Sequence, residues 1–146
     1  IEIKKISKKQ AEEFYNNLKT EKTFLQSSQF AKFRENLGET VFLKGIFSKN
    51  KLIGTVLIQK IKTRIKTFLH MPHGPLINAE FHENLEFWNL FLESYKNLGQ
   101  AENCDFIRIS PLISNENKVL KNSFKTQKFQ DAAVHLVNPE KTWILG

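Results

Sequence analysis

At 146 residues, 40% of them hydrophobic and 25% charged, the chain suits one globular domain whose core needs no staples. A single cysteine, Cys104, excludes an internal disulfide and any multi-cysteine metal site, and no apolar run approaches the roughly 20 residues of a membrane span. The net charge of +7 arises from 22 basic against 15 acidic residues. It points to general attraction toward polyanions, with a plain lysine-rich bias as the competing explanation.

Glu2 to Ile6 has the pattern of a short strand. Ser7 and Gln10 form a capping box, in which each side chain satisfies the other's backbone N–H at a helix start. Ala11, Phe14, Tyr15 and Leu18 then fall on one helical face. Lys19 to Thr23 is a polar loop. Ser27 or Ser28 caps a second helix that carries Phe30, Phe33 and Leu37 and is stopped by Gly38. Thr40–Phe47 and Leu52–Ile61 are strands joined by a turn at Ser48–Lys51, and the spacing predicts a hairpin, with Gly54 at a bulge or a close contact. Lys60, Lys62, Arg64 and Lys66 occupy alternate positions, so an extended chain presents them on one face. They suit phosphate contacts, or the solvated tip and edge of a hairpin, where lysine discourages strand addition.

An apolar run, Lys66 to Met71, feeds into His70-Met71-Pro72-His73-Gly74-Pro75-Leu76-Ile77. Pro72 and Pro75 fix φ and donate no N–H, so neither suits the interior of a regular element. The plain expectation is a surface turn. A stiff exit from a strand is also a common place for a binding site. Ala79 to Leu98 is the strongest helical pattern, with Phe81, Leu85, Trp88, Leu92 and Tyr95 recurring every three or four residues and Phe87, Phe91 and Leu98 widening the face. Gly99 is the expected terminator. Cys104 to Ser110 is a strand broken at Pro111, with Cys104 expected as a buried thiol and Phe106 and Arg108 alternating onto one face. Ser114 is the expected cap of a short helix through Leu120. Asn122 to Gln130 is polar, with Phe124 and Phe129 as anchors, and Val134–Val137 and Thr142–Leu145 are short extended runs. Together these elements predict a mixed α/β (α+β) domain, a largely antiparallel sheet with helices packed on it.

The residues alone name no chemistry. His70 and His73 lack a third ligand nearby, so no metal site is expected. His82 and His135 are isolated. Nucleophile-elbow, phosphate-loop and dinucleotide-binding patterns are missing.

Three segments in succession carry a resemblance. They are Thr23-Phe24-Leu25-Gln26-Ser27-Ser28-Gln29-Phe30-Ala31-Lys32-Phe33-Arg34 with Leu37-Gly38, Met71-Pro72-His73-Gly74-Pro75-Leu76 after a basic hairpin, and Phe106 to Pro111 with Asn138 to Leu145 at the end. In this order and spacing they resemble the first domain of the FemA/FemB/FemX family, aminoacyl-tRNA-dependent peptidyltransferases that build peptidoglycan interpeptide bridges. The resemblance implies a GNAT-like fold and makes residues 1–146 the N-terminal half of a two-domain protein. It implies two partners, a UDP-linked or lipid-linked muropeptide precursor and aminoacyl-tRNA as co-substrate, with no further cofactor. The implied location is the cytoplasm, at the inner membrane face, with peripheral membrane association.

The same resemblance assigns Arg34 to the precursor's phosphates. His73 stands where the family often has Arg, and its charge depends on pH. Gly74 and Pro75 match positions that shape the cleft. Arg108 matches a strand-borne polar position, as substrate contact or structural ion pair. No residue is assigned as catalytic base. Two alternatives stand beside this reading. An acetyl-CoA-dependent GNAT enzyme would need a glycine-rich pyrophosphate loop after a strand, and none is found. A non-catalytic domain would bind an anionic precursor or tRNA without turnover.

Overall fold

The computed structural model describes residues 1–114 and 116–131. The expected extended runs at Val134–Val137 and Thr142–Leu145 lie outside them, as do His135 and Asn138 to Leu145. In chain order the elements are β1 (Glu2–Lys5), α1 (Lys8–Asn17), a 3-10 turn (Phe24–Gln26), α2 (Ser28–Asn36), β2 (Thr40–Ser48), β3 (Lys51–Lys62), β4 (Thr67–Pro72), β5 (Leu76–Ile77), a second 3-10 turn (Ala79–Phe81), α3 (Leu85–Ala101), β6 (Phe106–Ser110) and α4 (Lys118–Thr126). One sheet runs β1-β2-β3-β4-β6, and β5 also pairs with β3. Among the described residues every pairing is antiparallel except β4 with β6, which is parallel. Parallel neighbours need a crossover, and α3 supplies it.

The capping box forms as the sequence predicts. Ser7 Oγ accepts from the Gln10 N–H, and Gln10 Oε1 accepts from the Ser7 N–H. Lys22 then donates to the Tyr15 and Leu18 carbonyls at the other end of α1, as a basic side chain at a helix C-terminus should. The hairpin β2–β3 closes through a two-residue turn with Lys49 and Asn50 both at positive φ, the conformation that matches strand twist. Its register slips beyond Ile46, where Ile46 pairs with Gly54 and Phe47 with Leu52. Gly54 therefore sits at a bulge.

Side chains alternate across the sheet. Val56 and Ile58 of β3 and Leu69 and Met71 of β4 join Phe87, Trp88, Phe91, Leu92 and Tyr95 of α3 in one core. The opposite face, reached by α1 and α2, receives Leu57, Gln59 and His70. That face positions the site described below.

Several boundaries differ from those the sequence predicts. The long helix begins at Leu85, because Asn84 caps it and the segment before it is a 3-10 turn. It also runs through Gly99. A side chain there would place Cβ 2.5 Å from Ile107 Cγ2, so glycine permits the close approach of helix to strand rather than ending the helix. Asn117, not Ser114, caps α4 by accepting from the Leu120 N–H. The α2 face behaves differently too: Ala31 is buried, while Phe33 and Leu37 are exposed. Cys104 is half-buried, not buried. Among the alternating basic residues, Lys60 pairs with Glu102 at 2.9 Å and Lys66 with Asp105 at 3.5 Å. The tip is solvated, but β3 is not an edge, since β4 covers it. The proline-glycine stretch is also no surface turn, since Met71, Pro72, Gly74, Pro75, Leu76 and Ile77 are all buried.

Candidate functional site

β3, β4 and β6 lie side by side, and their register sets Gln59 opposite His70 and His70 opposite Arg108. All three therefore share one level of the sheet on the α1/α2 face. Gln59 and His70 are buried. Two residues beyond His70, the chain ends β4 at Pro72 and bends at His73, whose φ is 55°. The His73 N–H donates to the Ser110 carbonyl at 2.7 Å, which anchors the bend to the end of β6. The peptide between Gly74 and Pro75 is cis, and β5 follows, returning to β3.

α2 lies over this face. Ser27 caps it by accepting from the Phe30 N–H. Arg34, in its last turn, forms an ion pair with Glu39, and its guanidinium carbon lies 5.8 Å from the centre of the Phe30 ring. The pair engages Nε, one of three nitrogens in a fork that presents five N–H donors. Phe30 in turn stacks against Phe33 and meets Phe24 edge-on.

His70 shows that these groups share one electrostatic environment. Its pKa is lowered to about 4, first by burial and then by the charges of Arg108, Arg34 and His73. Burial first, and then the positive charge of Arg108 and Arg34, hold this imidazole neutral at pH 7. Gly74 does not face this group. A Cβ there would lie 2.8 Å from the side-chain amide of Gln26, so its backbone packs directly on that amide. His73 Nδ1 lies 3.3 Å from Thr23 Oγ1.

Of the residues the sequence singles out, Arg108 lies opposite His70 in the sheet, His73 sits at the bend anchored to Ser110, and Arg34 is in the last turn of α2, paired with Glu39. The sequence analysis misses His70 and Gln59 as parts of the same surface, and it misses Gln26. The alternation of β4 and β6 was a usable signal for His70, because an apolar-polar-apolar strand that carries His beside a strand carrying Arg can place both on one face. Nothing local marks Gln26. Among the described residues, no three His, Cys, Asp or Glu side chains gather in a way that could hold a metal, and no helix is long and apolar enough to cross a membrane.

The mixed sheet, with β4 and β6 parallel in an otherwise antiparallel order among the described residues and helices on both faces, has the fold of the GNAT N-acyltransferases. Glucosamine-6-phosphate N-acetyltransferase from Arabidopsis thaliana superposes with a TM-score of 0.61 at 14% identity, covering 96% of this chain and 98% of that one. An aminoglycoside 6'-N-acetyltransferase from Acinetobacter haemolyticus does so with a TM-score of 0.57 at 14% identity, covering 97% and 99%. FemX matches with a TM-score of 0.71 at 18% identity, covering 86% of this chain and 31% of FemX. The FemAB family model matches residues 6–138, and the chain belongs to that family. The chain spans about a third of the FemX chain it matches. A comparison with curated proteins returns no match.

Proposed function

We propose that this domain holds the phosphate-bearing part of a peptidoglycan precursor for an aminoacyl-tRNA-dependent peptidyltransferase that extends the precursor's stem peptide. The observation that carries the reading is the placement of Arg108 level with buried His70 on the α2 face, with the His73 turn anchored to the end of β6 beside them and Arg34 on the helix that covers that face. Guanidinium groups in a partly buried, low-dielectric setting favour an anion with several oxygens. Membership of the FemAB family supports the reaction class. In that reaction an amine of the stem peptide attacks the aminoacyl ester of tRNA, an amide C–N bond forms as the ester C–O bond breaks, and the tRNA leaves with a free hydroxyl that takes up the proton the amine gives up. The task for these residues is to hold the precursor so that amine and ester meet in attack geometry. On this reading the work is done in the cytoplasm, at the membrane's inner face, with charged tRNA as the co-substrate and no further cofactor.

Titration calorimetry with a UDP-linked muropeptide tests the reading. Wild type should bind, and Arg34→Ala should bind about tenfold more weakly, in line with loss of a charge-assisted contact. Equal affinity in the two proteins would remove Arg34 from the site, and no binding by wild type would remove the precursor.

A further inference from the structure

β3 has two short partners along the same edge. β5 pairs with Gly54 and Thr55, and β4 pairs with Gln59 to Lys62. Among the described residues, the stretch between them meets no strand on that side. Leu57, at its centre, is fully buried, and a buried peptide group left without hydrogen bonds is costly. Gln26 fills the break. Its Oε1 accepts from the Leu57 N–H at 2.8 Å, and its Nε2 donates to the Leu57 carbonyl at 3.1 Å. Nε2 also donates to the Pro72 carbonyl at 2.7 Å, at the end of β4. A primary amide offers the same donor and acceptor as a peptide group, so one side chain substitutes for one residue of a strand.

The same amide reaches the site from both sides. Ser27, the next residue, caps α2, which carries Arg34. Pro72 immediately precedes His73, and Gly74 packs on the amide itself. Thr23, three residues before Gln26, approaches the His73 ring. We infer that Gln26 is a positioning residue: its buried amide fixes the α2 start against the His73 turn and so sets the placement of the His73 ring relative to the helix that carries Arg34. This rests on the anion-binding reading above.

Gln26→Met keeps the length of the side chain and removes all three hydrogen bonds. It should weaken binding of the UDP-linked muropeptide about tenfold in calorimetry. In a background already carrying Arg34→Ala and His73→Ala, the same substitution should change the residual affinity less than about twofold, because the groups it positions are gone. An equal loss in both backgrounds would overturn the inference and leave a general effect on stability. A ligand-free measurement separates this inference from the reading beneath it. By nuclear magnetic resonance, Gln26→Met should speed hydrogen exchange of the Leu57 amide and move the His73 ring signals, while α3 amides hold. Unchanged Leu57 and His73 signals would overturn the inference. Altered signals in a protein whose wild type binds no muropeptide would sink only the anion reading. Should the Met variant fail to fold, Gln26→Asn, which keeps the amide one methylene short of Leu57, carries the same expectations.

Discussion

His70 is 6% exposed, and burial together with nearby positive charge lowers its pKa to about 4. In the unfolded chain its pKa returns to roughly 6.5. Between those values the unfolded state binds the proton and the folded state does not. Stability from this group is therefore complete above the unfolded value and is lost as pH falls toward the folded one. Acidification from pH 7 to 5 should cost about 2 kcal/mol through this residue. Urea midpoints at the two pH values measure that loss, and His70→Gln should flatten the difference. Gly99 poses the opposite kind of question, since alanine favours helices by about 1 kcal/mol while overpacking a core costs about 1–3 kcal/mol. Because the new methyl would meet Ile107 at 2.5 Å, packing should win, and Gly99→Ala should lower the thermal midpoint. At this scale Arg34, His73 and Arg108 stand out in the sequence, because they sit within recognisable segments, and strand alternation offers a signal for His70. Gln26 has none, because a buried glutamine that substitutes for a strand is locally the same residue as a solvated one.

Elements were legible where a local rule decides them and obscure where packing does. Ser7 with Gln10 is a self-contained signal, and the helix starts where it says. The α4 start shows the limit, since both Ser114 and Asn117 are good capping residues. Position decided it: Asn117 Oδ1 accepts from the Leu120 N–H, while its Nδ2 donates to the His82 carbonyl at 2.7 Å. Trp88 donates to that same carbonyl, so the cap also ties α4 to the entry of α3. Asn117→Ala should thus lose a cap and a tertiary bond, about 2 kcal/mol. Ser114→Ala should stay within about 0.5 kcal/mol. Paired urea denaturation curves decide between them, and a larger loss for Ser114 would contradict this assignment. Helix α2 exposed the weakness of periodicity as a guide to burial. Its aromatics recur at helical spacing, yet Phe33 is 51% exposed, because the small residues Ser27, Ser28 and Ala31 bring the helix down onto the sheet.

At the scale of the molecule, the antiparallel hairpin could be read from adjacent strands and their turn. The parallel pairing of β4 with β6 could not, because its partners are separated by the whole of α3. That pairing sets His70 beside Arg108, so the site depended on the least legible step of the fold. It also bears on the coenzyme A alternative, which the fold admits, since two acetyltransferase chains superpose over 96% and 97% of this one. A coenzyme pyrophosphate needs N–H groups and positive potential at a strand-to-helix turn. Here β5 leads through residues 78–84 to the start of α3, a segment without glycine that carries Glu80, Glu83 and, in the first turn, Glu86. Carboxylates at a helix N-terminus favour the helix and repel a phosphate. The arginines Arg34 and Arg108 belong instead to the opposite, α2 face. Acetyl-CoA should therefore show no saturable binding in calorimetry under conditions where the UDP-linked muropeptide binds. Saturable binding of acetyl-CoA, weakened by adding free coenzyme A, would reverse the assignment and make this an acyltransferase of the coenzyme A kind.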